Sequence, residues 1–111
     1  MKDDAVYLRH IQECIRRIEE DTSGGHDAFM ASHTFQDAVL RNLQTLAEST
    51  QRLSQGIKAR HPEIDWRRVA AFRNVLVHVY LGIDLELIWK VVQGDIPNLK
   101  RVVAKMMESE D

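Results

Sequence analysis

The stretch TFQDAVLRNLQTLAESTQRLSQGIKA, residues 34–59, decides the fold. Its apolar side chains recur at Val39, Leu43, Leu46, Leu53 and Ile57, with Thr50 in one seam position. Steps of four, three, seven and four keep these residues on one face of an α-helix, in the heptad-like spacing of a bundle seam. The spacing predicts one unbroken helix over 34–59. His61-Pro62 closes it, because a residue before proline disfavours helical geometry.

The same periodicity extends to both sides. Val6, Ile11, Ile15 and Ile18, with Leu8 beside them, predict a helix over 4–20, capped by Asp3 or Asp4 and ended by Ser23-Gly24-Gly25. Residues 26–32 have room for one or two helical turns. Asp65 can cap a helix over 66–81, which Gly82 stops, and Asp84 can cap another over 85–93. Gly94-Asp95-Ile96-Pro97 then predicts a break, with Asp95 capping a continuation to 107 and Pro97 in its first turn, where a missing N–H costs little. The acidic residues 108–111 should fray. No run alternates with period two, and there is no Asn-Gly or Asp-Gly hairpin signal. The expectation is an all-α, up-and-down antiparallel bundle of four to five helices, one domain over 1–111.

Composition narrows the function classes. The chain has 111 residues, 44% apolar and 29% charged, which is globular rather than disordered. Fifteen Lys and Arg stand against 17 Asp and Glu, a formal charge of −2. That argues against capture of nucleic acid by bulk charge and leaves a local basic cleft open. Cys14 is the only cysteine, so neither an intrachain disulfide nor a cysteine-based zinc site can form, which suits a reducing compartment. No apolar run approaches the ~20 residues of a membrane span, and residues 1–4 lack the apolar stretch of a signal peptide. The expected location is the cytoplasm, away from membranes.

Chemistry concentrates in Arg73-Asn74-Val75-Leu76-Val77-His78-Val79-Tyr80. Asn74 and His78 are one turn apart and share a face. Arg73 and Tyr80 align two turns apart, ~10 Å along the axis. Arg73 and His78 lie ~140° apart around the helix, so one helix does not aim both at one spot. Either the long arginine stem reaches round, or a second copy of the helix supplies the other half. The plain structural alternative is a satisfied His78 and an Arg73 paired with a carboxylate such as Glu48 or Glu86.

This octapeptide resembles the Arg-x4-His-x-Tyr signature of the HepT-like family of HEPN domains. Tyr7-Leu8-Arg9-His10-Ile11 is similar to the family's first helix, and residues 36–43 with Leu46-Ala47-Glu48 to its second. His61-Pro62-Glu63-Ile64-Asp65-Trp66 resembles the linker before the motif helix. Gly82-Ile83-Asp84-Leu85, Ile88-Trp89 and Asp95-Ile96-Pro97 resemble the family's segment after that helix. The likeness implies a HEPN-like homodimer whose two motif helices line a shared cleft. It implies a metal-independent endoribonuclease, the toxin of a type VII toxin–antitoxin pair, acting on transfer or messenger RNA. It also implies an MntA-like minimal nucleotidyltransferase antitoxin that uses ATP and Mg²⁺ to attach AMP to Tyr80. The toxin itself would need no cofactor and no metal. Val79 stands where relatives often carry a polar residue.

Within that reading, the catalytic candidates are Arg73, His78 and Asn74. His78 suits proton transfer and Arg73 suits a phosphate dianion. Asn74 could orient His78 or hold the phosphate, and Glu48 is a candidate partner behind Arg73 or His78. The competing reading is a non-catalytic helical subunit that docks a nucleotidyltransferase and presents Tyr80 or binds nucleotide. Arg67-Arg68 and Lys100-Arg101 are either surface charge or RNA-backbone contacts. His26 and His33 could share a helix face but lack a third metal ligand. Cys14 should be semi-buried and inert, and Met106-Met107 suits the core.

Overall fold

The apolar seam of residues 34–59 forms, but the helix carrying it breaks. In a computed structural model that describes residues 2–77 and 84–110, α3 spans His33–Arg52 and a separate short helix, α4, spans Gln55–Ala59. Between them Leu53 and Ser54 are extended, at φ −65°, ψ 146° and φ −62°, ψ 150°. Ser54 is the cause. Its Oγ accepts from the Ile57 N–H at 3.3 Å, capping α4. Its own N–H and hydroxyl donate to Asp4 Oδ1 and Oδ2, at 2.8 and 2.7 Å. Val39, Leu43, Leu46, Thr50, Leu53 and Ile57 are nevertheless all buried, so the bend keeps the seam inside.

Helix α1 spans Lys2–Asp21. Asp3 and Asp4 therefore lie in its first turn instead of capping it, and Asp4 is committed to Ser54. Its buried stripe is Leu8, Ile11, Ile15 and Ile18, extended by Asp4 and Thr22. Val6 does not join that stripe and is 59% exposed. Two residues from Asp4 and Leu8, it points ~160° away from both. Thr22 donates its hydroxyl to the Ile18 carbonyl at 2.7 Å, and Gly25, at φ 94°, takes a left-handed turn that a side chain would strain. A short α2, His26–Met30, buries Phe29. Gln36 of α3 donates to the Phe29 and Met30 carbonyls, both at 3.0 Å.

Helix α5 spans Trp66–Val77, with Asp65 accepting from the Arg68 N–H at 3.2 Å as a cap should. The expected continuation to 81 and the Gly82 stop lie outside the described residues. Asp84 accepts from the Glu86 and Leu87 N–H groups at 3.1 and 3.3 Å and opens α6, Leu85–Glu110. The predicted break at 94–97 is absent. Pro97 sits inside the helix, and Asp95 pairs with Arg68 instead of capping. Ile88, Val91, Val92, Ile96, Leu99, Val102, Val103 and Met106 form one buried stripe through the Gly-Pro region. An interior proline costs about 3 kcal/mol, whereas burying each such side chain contributes roughly 1.5–3 kcal/mol. The stripe wins.

Helix α3 is the hub, packing against α1, α2 and α5, while α1 also packs against α6. The links Asp4–Ser54 and His10–Ser49 run in opposite chain directions, so α1 and α3 are antiparallel. Arg68 meets Asp95 while Phe72 lines a hollow with Ile88, which makes α5 and α6 antiparallel too. The described residues thus form six helices and no strand, an all-α bundle in which one expected helix has split and two have fused. No helix among them is long and apolar enough to cross a membrane.

Candidate active site

The motif helix α5 is held from its first residue. Trp66 Nε1 donates to the Lys58 and His61 carbonyls, both at 3.1 Å, and tethers α5 to the end of α4. Val69 and Phe72 are buried, which turns Arg67 and Asn74 outward, while Arg73, ~40° from Val69 around the helix, lies at the flank of the buried face and is exposed there. Arg73 is exposed and, among the described residues, makes no ion pair or side-chain hydrogen bond. Neither carboxylate offered as its structural partner takes that role. Glu48 is half-buried on α3 and makes no ion pair with it, and Glu86 is held by His26 Nε2 at 2.8 Å. The guanidinium is therefore available, as is the neighbouring amide of Asn74. His78 and Tyr80, with Val79 between them, lie outside the described residues, as do the expected pairings of Asn74 with His78 and of Arg73 with Tyr80.

Several other cations are already committed. Arg68 forks onto Asp95 at 3.0–3.1 Å, Lys100 donates to Glu19 at 2.9 and 3.1 Å, and Arg101 donates to Asn98. Those three are surface links, leaving Arg67 of the four basic residues considered for RNA contact. Glu13 receives Arg16 and Arg17, whose hydrogen bonds hold its carboxyl down at about 2. His26 and His33 do not share a face: one opens α2 and the other α3. Both ring nitrogens of His26 are occupied, Nδ1 by Asp27 at 3.0 Å and Nε2 by Glu86. Cys14 is buried, and burial pushes its thiol up, away from the reactive thiolate. Met106 is in the core.

Beside the motif, α5 and α6 enclose an apolar hollow of about 160 Å³. Leu43, Phe72, Ile88 and Val91 line it, with exposed Ala71 and Leu87 at its margin. Sequence reasoning missed long-range polar links such as Asp4–Ser54 and His26–Glu86, whose partners are 50 and 60 residues apart. Each residue type was visible, but no local pattern connects them.

The described residues form an all-helical bundle that exposes Arg73 on α5 without an ion pair among them. The family model for HepT-like ribonucleases, described as "Ribonuclease HepT-like", matches residues 11–106. The chain belongs to that family. It is 39% identical over 101 residues to the "Probable ribonuclease HepT" of Thermococcus cleftensis, covering 90% of this chain and 92% of the relative. It is 40% identical over 111 residues to a Methanocaldococcus jannaschii protein named as a gamma-glutamylcyclotransferase and candidate RNase, covering 99% of this chain. The chain spans only 50% of that second relative's length. A candidate RNase of Caldanaerobacter subterraneus subsp. tengcongensis is 29% identical over 111 residues, with 99% of both chains covered. No solved structure gives a significant match.

Proposed function

We propose that the protein is an endoribonuclease toxin that cleaves RNA without a metal at a cleft between two copies of α5. The observation that carries this reading is the exposed guanidinium of Arg73, unpaired among the described residues and beside Asn74, in a chain of the HepT-like ribonuclease family. His78 moves the proton as the 2′-hydroxyl oxygen bonds to the adjacent phosphorus and the 5′-oxygen departs with a proton. Such acid–base help typically contributes ~10²–10⁴-fold. Arg73 stabilises the phosphorane-like dianion, because its planar fork stays charged and matches phosphate geometry. Asn74 orients His78 or holds the phosphate.

The ~140° between positions 73 and 78 on a helix is what calls for a second copy. A two-fold axis beside α5 would bring Arg73 of one chain toward His78 of the other. The apolar hollow between α5 and α6, with exposed Leu87 at its edge, supports an interface there. Regulation falls to Tyr80. An MntA-like nucleotidyltransferase, using its own ATP and Mg²⁺, would join the phenol oxygen to the α-phosphorus and release pyrophosphate. The added phosphodiester charge and base would repel RNA and obstruct the cleft.

Purified protein should cleave total RNA in EDTA, and His78→Ala should not, with its helical circular dichroism intact. Wild-type-like cleavage by His78→Ala would remove that residue from the mechanism. Mass spectrometry after incubation with the cognate transferase and ATP should find one or more AMP additions on Tyr80. Neutralised toxicity with an unmodified tyrosine would replace covalent silencing with simple masking.

A further inference from the structure

At the N-terminal end of α5 a wide, open hollow of about 580 Å³ lies against α4 and the loop joining the two helices. Lys58, Arg67, Gln55, Trp66 and Pro62 contribute to its wall. Lys58 and Arg67 are the two cations there, and among the described residues neither ammonium nor guanidinium has a carboxylate partner. The one acidic residue of the lining, Asp65, already accepts from the Arg68 N–H. Trp66 is pinned by its indole N–H, so the ring is a fixed apolar wall and not a swinging side chain.

We infer that this hollow is a substrate subsite that holds a phosphate of single-stranded RNA between Lys58 and Arg67, with a base against Trp66 and Pro62. The inference rests on the ribonuclease reading and deepens it. Two physical points carry it. The molecule is net acidic, and Arg16, Arg17, Arg68 and Lys100 are absorbed by carboxylates, so two cations without a carboxylate partner in one concavity form a local site for a polyanion. A charged groove lined with a rigid aromatic is how sequence-tolerant single-strand binding is built. Arg67 also precedes Arg73 by six positions on the same helix, ~9 Å along the axis and ~120° around it, so a strand has to wrap α5 to reach both.

The test is binding of a fluorescein-labelled single-stranded RNA to the full chain carrying His78→Ala, which prevents cleavage during the titration. Lys58→Gln and Arg67→Gln should each weaken binding several-fold. Each should also flatten the dependence of log affinity on log salt by ~0.7, the value per phosphate contact in a single strand. Lys100→Gln, whose ammonium is already bound to Glu19, should change neither. Unchanged affinity and salt slope in the Lys58 and Arg67 variants overturn the subsite, as does an RNA that fails to bind the His78→Ala chain. The ribonuclease reading is judged separately, by cleavage in EDTA. Wild-type KM for RNA in the Arg67→Gln enzyme, in an otherwise active chain, would sink the subsite and leave the nuclease standing.

Discussion

The α1–α3 seam and the α5–α6 seam are built from the same helical pattern and fastened in opposite ways. Between α1 and the α3–α4 segment the polar links lead into the core. Asp4 is 3% exposed, and its carboxylate serves both polar hydrogens of Ser54, while His10 Nδ1 is 2.7 Å from the buried Ser49 hydroxyl. Between α5 and α6 the link is the surface fork of Arg68 on Asp95, beside a hollow whose margin leaves Leu87 45% exposed. The first seam holds the bundle together, and the second has surface to spare. A buried polar group that loses its partner costs its full desolvation, whereas an exposed pair is partly replaced by water. Arg73 and Asn74 sit on the loosely fastened side.

The largest effect should separate function from stability. Arg73→Ala should reduce RNA cleavage by at least ~10²-fold, comparable to losing acid–base help. Its melting temperature should stay near wild type, since Arg73 is exposed and unpaired among the described residues. A large stability loss would put Arg73 in the frame of the bundle and not in its chemistry.

Next comes Asp4→Ala, expected to destabilise by ~1–3 kcal/mol in denaturant melts, because the Ser54 N–H and hydroxyl lose their acceptor. The same site sets a pH dependence. Burial by itself raises the Asp4 carboxyl, but the Ser54 hydrogen bonds and the Arg60 charge outweigh it and hold the group below 3.8. Its stabilisation is therefore complete above about 3.8 and drains away as pH falls through the lower folded value. Asp4→Ala should show less acid destabilisation than wild type. Equal acid sensitivity would contradict the buried-link account.

His26 on the exposed side should respond in the other direction. Both ring nitrogens face carboxylates, Asp27 and Glu86, an arrangement that only the imidazolium satisfies with two donors. Hydrogen bonds from Asp27 and then Glu86 raise its pKa above 6.5, so its contribution is full below 6.5 and fades as pH rises through the folded value. Nuclear magnetic resonance titration should place its midpoint above the ordinary value, and Glu86→Gln should lower it.

Smaller still, Gly94→Ala should stabilise by up to ~1 kcal/mol, since Gly94 lies within α6 and an added Cβ meets nothing within 4 Å. Arg68→Ala should cost at most ~1 kcal/mol, the ordinary worth of an exposed pair. A loss from Arg68→Ala as large as that from Asp4→Ala would erase the contrast between the seams.

The helical class was legible because period-3.6 apolar spacing survives any choice of boundaries. Val39, Leu43, Leu46 and Ile57 turn up buried whether or not the helix beneath them is continuous. The boundaries were less legible. Ser54 reads as an ordinary mid-helix serine until Asp4 of another helix arrives at 2.8 Å. Gly94 and Pro97 read as a break until the long buried stripe of α6 outweighs them. At the site, the outward placement of Asn74 follows from helical phase against Val69 and Phe72, whereas Arg73 shares a flank with Val69 and its exposure is seen only in the fold. Which carboxylates were already taken depended on contacts across 27 to 81 residues, which no local spacing encodes.

The central claim is that Arg73 of one chain and His78 of its partner act on one phosphodiester. Mixing Arg73→Ala with His78→Ala after unfolding and refolding tests it directly. A mixed dimer then has one composite site intact, so cleavage should return to about a quarter of wild type in a random mixture. A mixture as inactive as either parent would contradict the shared cleft.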